Sequence, residues 1–274
     1  MCPYVLFYLI SIIFRFLINF VLDIENFDLS NYVSYFLQMF LSQGSENLPN
    51  APLWFVPCLI IVEIIYYWLS KLKKLAIISV ATTLTVLGWV IESNFISFPN
   101  EILPWSLDSA FFAIGFFTIG NLTFKKICTI EKKLTNTTNK KLLCIAISIF
   151  AITTLVPLAL HNGKISMGSK ILGNGFILYS TGILGVCFIL PLSILLKNNK
   201  LFKYCGKNSF QIMAVHYLFR DSLRLFFKLF NIPIYDKTIW YETILPIAIV
   251  FFASVLFSLF YNKIKMLINQ RLCN

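Results

Sequence analysis

Apolar positions in this 274-residue chain fall into long unbroken runs, not into the short alternating stretches of a barrel strand. The runs lie near 3–22, 52–70, 74–92, 105–124, 141–160, 174–196, 208–230 and 239–262, and each approaches the roughly 20 residues a helix needs to cross hydrocarbon. Helices satisfy every backbone polar group within lipid, so the pattern predicts an all-α, polytopic bundle of about eight spanning helices. The run at 208–230 is the least apolar. Residues 1–274 are read as a single membrane-embedded domain, with Tyr32–Leu41 as a short amphipathic helix in the interface.

Charge turns this pattern into a topology. Lys71, Lys73 and Lys74 share one connection, Lys125, Lys126, Lys132, Lys133, Lys140 and Lys141 another, and Lys197, Lys200, Lys203 and Lys207 a third, while Lys263, Lys265 and Arg271 close the chain. The intervening connections carry Asp23, Glu25, Asp28, Glu46, Glu92, Glu101 and Asp236, with Lys164, Lys170 and Lys237 as their only bases. An excess of lysine marks cytoplasmic loops, which places both termini on the cytoplasmic side of a cell membrane and requires 208–230 to cross it. Trp54, Trp105 and Trp240 fall at outer boundaries, as an aromatic belt would place them.

Hydrophobic residues make up 58% of the chain and charged residues 13%, a balance that excludes a soluble domain. The net charge of +11 rims spanning helices, so it points to anionic lipid head groups of the bilayer and not to nucleic acid. The seven cysteines imply neither a disulfide framework nor a metal site. The first run is longer than a signal peptide's apolar core and is kept as structure.

Charges inside apolar runs carry the functional signal, because each costs roughly 2.5–3.5 kcal/mol at a helix centre. Arg15, Glu63, Asp108, Arg220, Asp221 and Arg224 are of this kind, and they balance in sign. They predict a polar cavity within the bundle, the alternative being ion pairs that fix helix packing. His216, Arg220 and Arg224 stand at i, i+4 and i+8, which stacks an imidazole and two guanidiniums on one stripe suited to an anionic ligand. His161 belongs to a solvated His161-Asn162-Gly163 turn. From the residues alone, a transporter, a membrane enzyme and a helical interaction module all stay open.

Three segments narrow the choice. Pro52 to Pro57, "PLWFVP", is followed by Glu63; Trp105-Ser-Leu-Asp108 leads into "FFAIGFFTIGN" at 111–121; and "GNGFILYSTGILG" at 173–185 precedes Lys203 to Ser209, "KYCGKNS", and "IMAVHY" at 212–217. In order and spacing these resemble the membrane-bound acyltransferase family 3, especially its fucose 4-O-acetylase-like branch, over most of the chain from Pro52 to about Leu229. The resemblance implies an enzyme that moves an acyl group from acetyl-CoA or another acyl-CoA to a sugar hydroxyl of a surface glycan or lipid-linked precursor. It implies no bound cofactor. Glu63 and Asp108 match family positions that orient partners or shape the acceptor pocket. The candidate catalytic residues are His216 and Glu63, and the candidate substrate-binding residues are Arg15, Trp54, Asp108, Arg220 and Arg224. The opening "MCPYVLFYLI" resembles the family's third helix, so the two preceding helices, the first of which carries an Arg and, about ten residues later, the His regarded as catalytic, have no counterpart in residues 1–274. Other readings are a transporter or flippase of a charged glycan intermediate and an inactive family remnant serving as a membrane partner. The sequence leaves the oligomeric state open.

Overall fold

The computed structural model describes residues 2–22, 28–42, 48–92, 103–134, 138–169, 171–230 and 240–272. The loop residues Asp23, Glu25, Glu46, Glu101, Lys170, Asp236 and Lys237 of the charge topology lie outside them, as do the side chains of Glu92, Lys132, Lys133, Lys140, Trp240 and Arg271. Among the described residues ten α-helices follow in order: α1 (Cys2–Leu22), α2 (Leu29–Leu41), α3 (Phe55–Leu69), α4 (Lys74–Glu92), α5 (Leu107–Leu134), α6 (Thr138–Asn162), α7 (Gly175–Leu196), α8 (Lys200–Lys207), α9 (Ser209–Leu229) and α10 (Trp240–Leu272).

Seven segments of the described residues are long and apolar enough to cross a membrane: Pro3–Phe20, Ala51–Leu69, Lys74–Ile91, Pro104–Glu131, Lys141–Asn162, Gly175–Leu196 and Ile244–Ile268. The expected seventh span, α9, has the length at 21 residues but not the apolarity, because Arg220, Asp221 and Arg224 interrupt it. Pro157, Pro191 and Pro246 sit inside α6, α7 and α10, which membrane helices tolerate. The predicted patch at Tyr32–Leu41 forms the greater part of α2. Asp28 starts that helix by accepting from the Ser30 backbone N–H at 2.8 Å and from the Ser30 hydroxyl at 2.6 Å.

The described helices group into two compact units. The first contains Met1–Met39, Asn47–Leu53 and Lys200–Asn274. Its core is aromatic: Phe7 packs against Phe210 and Tyr261 at centroid distances of 6.0 and 5.9 Å, and Phe219 against Phe257 at 6.2 Å. A closed polar ring joins α8, α9 and α10. Asn262 Nδ2 donates to Asn208 Oδ1 (2.8 Å) and to Tyr204 Oη (3.1 Å), Gln211 Nε2 donates to Asn262 Oδ1 (3.1 Å), and Ser258 Oγ donates to Gln211 Oε1 (2.8 Å). Tyr204 and Ser258 hydroxyls, 3.1 Å apart, close the ring.

The second unit contains Phe40–Glu46 and Trp54–Asn199. Cys58, Val62, Tyr66 and Leu69 recur on one face of α3 and pack with Ile77 and Ala81 of α4 and Ala110 and Ile114 of α5. At Gly88 the backbones of α4 and α5 come close together; a Cβ there would lie 2.5 Å from the Phe112 backbone nitrogen. Such small residues let membrane helices approach where lipid supplies no hydrophobic drive. Asn174 caps α7, its side chain accepting from Phe176 N and Ile177 N.

Candidate functional site

The i, i+4, i+8 stripe is realised, since His216, Arg220 and Arg224 all lie on the continuous helix α9. Two of the three line a cleft of about 560 Å³ between α9 and α10 in the first unit. Its α9 wall is Ser209, Ile212, Met213, His216 and Arg220; its α10 wall is Pro246, Ile247, Val250 and Phe251; Cys205 of α8 completes it.

His216 Nδ1 lies 2.6 Å from the carbonyl oxygen of Met213. A carbonyl only accepts, so Nδ1 carries the proton and the neutral ring keeps its lone pair on Nε2. One turn on, the Arg220 guanidinium stacks over the Tyr217 ring at 3.6 Å and donates to Asp221 Oδ1 through Nε (3.1 Å) and Nη2 (2.9 Å). Asp221 therefore takes two of the five N–H donors of Arg220. Arg224 is more exposed, with Nη1 4.0 Å from the same carboxylate oxygen. The predicted charge pairing is thus present within α9, between neighbours in sequence.

The other candidates lie elsewhere. Arg15, in the first unit, donates from Nη1 to the Tyr35 hydroxyl of α2 at 3.1 Å, with its guanidinium 5.7 Å from the Tyr35 ring centroid. Glu63 belongs to the second unit and lies on the exposed side of α3, while its neighbour Val62 faces the core. Asp108 is fully buried in the first turn of α5, where its Oδ1 accepts from the Ser109 backbone N–H at 2.9 Å. A carboxylate there meets the positive end of the helix dipole. Trp54 packs on the α3 core, and its indole covers Gly168. Ser109 donates to the carbonyl of neighbouring Met167 at 3.2 Å, so the turn at 167–169 brings the surroundings of Trp54 and Asp108 together.

Two features escape sequence reasoning. The residues leading into Asp108 are strained: Trp105 (φ 59°) and Ser106 (φ 52°) adopt the left-handed region that disfavours side-chain-bearing residues. They are held by Trp105 Nε1 donating to Phe40 O (2.7 Å) and Ser106 Oγ to Ser42 O (3.0 Å). Asn50, fully buried, donates to Ser11 Oγ (2.9 Å) and to Ala214 O (2.8 Å), fixing the turn of α9 that leads to His216. Its Oδ1 is buried without a hydrogen-bond partner among the described residues. The only sequence trace of Asn50 is a polar residue abutting an apolar run.

Long apolar helices with a charged cleft among them define a multi-pass membrane protein. A family model described as an acyltransferase domain matches residues 2–263, and the chain belongs to that family, the membrane acyltransferase family 3. No curated protein and no solved structure matches the chain.

Proposed function

We propose that this protein is an O-acyltransferase of the cell membrane that moves an acyl group from acyl-CoA to a sugar hydroxyl of a surface glycan or its lipid-linked precursor. The observation that carries the reading is the cleft, which pairs an imidazole presenting Nε2 with a guanidinium one turn away in a chain of acyltransferase family. In the reaction the sugar oxygen attacks the thioester carbonyl and its proton passes to His216 Nε2. The oxyanion that develops is stabilised by the donors of Arg220 not held by Asp221. Collapse breaks the carbon–sulfur bond, and the thiolate leaves and regains a proton as free CoA thiol. The lysine-rich connections at 71–74, 197–207 and 263–265 support cytoplasmic termini.

The test is release of CoA thiol by the purified protein in liposomes, with acceptor glycan present and absent. His216→Ala is expected to slow transfer by about 10²–10⁴-fold, the usual contribution of a general base. Arg220→Gln is expected to cost about 10²–10³-fold, as loss of one oxyanion donor does. Transfer by folded His216→Ala at the wild-type rate would remove His216 from the site.

A further inference from the structure

We infer that Lys200, Lys203, Lys207, Lys263 and Lys265 dock the phosphate-bearing end of the acyl-CoA donor. This rests on the donor reading above and deepens it, because that reading leaves the pyrophosphate and 3′-phosphate of CoA without a site. All five side chains are exposed. Lys200, Lys203 and Lys207 stand at i, i+3 and i+7 of α8, which sets them on one stripe. Lys263 and Lys265 belong to α10 but are brought to the same place. Asn262, which precedes Lys263, donates to Tyr204 Oη and Asn208 Oδ1, the residues next to Lys203 and Lys207. The polar ring thus holds two basic segments together before any ligand arrives. No Asp or Glu occurs in 200–220 or in 243–274 to neutralise them.

The helix that leaves this cluster leads to the reacting groups. Asn208 N donates to Tyr204 O and Ile212 N to Asn208 O, each at 3.1 Å, which carries helical bonding from α8 into α9. Lys207 precedes His216 by nine residues, about 14 Å at the helical rise. In CoA about thirteen bonds separate the thioester sulfur from the nearer phosphorus, a little over four residues of extended backbone, or about 15 Å. With its phosphates on the lysines, the donor therefore brings its thioester to His216. The arm between them follows the α9 side of the groove, along Ser209, Ile212 and Met213. The groove is open, so the arm enters from the side and no enclosed passage is needed. Lys71, Lys73 and Lys74 are equally basic but belong to the second unit and line no part of this groove.

The test measures equilibrium binding to the full chain in an uncharged detergent, with acetyl-CoA, acetyl-dephospho-CoA and S-acetylpantetheine as probes. Affinity is expected to fall in that order. Lys203→Gln, Lys207→Gln and Lys263→Gln together should weaken acetyl-CoA by about 10–100-fold, at up to about fivefold per exposed charge pair, and leave S-acetylpantetheine unchanged. Added salt should weaken acetyl-CoA binding in wild type and do much less in this variant. Lys71→Gln, Lys73→Gln and Lys74→Gln, the same loss of charge in the second unit, should change nothing. Equal acetyl-CoA affinity in wild type and the α8–α10 variant, or an equal loss in the 71–74 variant, would overturn the inference and leave the donor reading standing. Lysine dependence confined to binding of phosphatidylglycerol vesicles would overturn it too, and would assign the cluster to lipid head groups. If wild type binds no acetyl-CoA, the donor reading fails and the inference falls with it.

Discussion

Asn50 reaches across the first unit to hold Ala214: its amide nitrogen donates to the Ala214 carbonyl oxygen at 2.8 Å, two residues before His216. The same nitrogen holds Ser11 of α1, so one short side chain ties the start of the second apolar run to two helices. Asn50→Ala leaves the Ala214 carbonyl and Ser11 without this donor in a dry interior. Thermal unfolding in detergent should report a loss of about 1–3 kcal/mol, the cost of orphaning buried polar groups. Ser11→Ala removes two neutral bonds, the one accepted from Asn50 and the one donated to the Phe7 carbonyl, and should cost about 1–3 kcal/mol. Equal stability of Asn50→Ala and wild type would show that the amide does not anchor α9.

Gly88 sets the spacing of α4 and α5. Gly88→Ala places a methyl against the backbone of Phe111 and Phe112, which cannot move as a side-chain tip can. The expected loss is about 1–3 kcal/mol, as for overpacking generally. Gly120, also on a helix, has nothing within 4 Å of its would-be Cβ. Gly120→Ala should be neutral or stabilising by up to about 1 kcal/mol through helix propensity alone. A matched chemical-denaturation series separates the two, and similar effects at both positions would contradict the packing.

The polar ring predicts a graded response. Asn262 makes three of its hydrogen bonds and Ser258 two. At about 0.6 kcal/mol per side-chain bond between membrane helices, Asn262→Leu should cost roughly 2 kcal/mol and Ser258→Ala roughly 1 kcal/mol. The double variant should cost less than the sum, because both residues act through Tyr204 and Gln211. Additive losses would mean that the ring does not act as a unit.

Asp28 gives a pH dependence of known sign. Hydrogen bonds from the Ser30 hydroxyl and backbone N–H hold its carboxyl below the ordinary 3.8. A depressed folded-state pKa means that the ionised form stabilises α2 fully above the unfolded value, and that this contribution fades as pH falls through the folded one. Helix content monitored by circular dichroism should therefore drop below about pH 4 in wild type. Asp28→Asn should flatten that limb, and an identical acid limb in the variant would remove the cap from the explanation.

Helix positions were legible because lipid imposes a simple rule on sequence: Pro3–Phe20 and Lys141–Asn162 had to be predominantly apolar to satisfy it. The i, i+4 spacing likewise placed His216 and Arg220 on one face, since helical geometry is periodic and local. What stayed hidden depends on partners distant in sequence. No spacing announces that Glu63 points away from its core while Asp108 is buried, or that Asn50 meets a residue 164 positions later. The left-handed Trp105–Ser106 step was equally silent, because glycine, its usual marker, is absent there and the strain is held by Phe40 and Ser42.

The short contact between His216 and Met213 makes the imidazole a one-port device. A histidine open on both sides can relay a proton, taking it in at one nitrogen and passing it out at the other. Here the second nitrogen is sealed by an acceptor that has no proton to exchange and cannot take one away. Whatever proton enters at Nε2 must depart from Nε2, into the same chamber and after the first reactant has changed. On the acyl-transfer reading proposed above, each cycle would then be self-contained: a departing thiolate would be the natural recipient, and protons from the bulk phase need not enter the turnover at all.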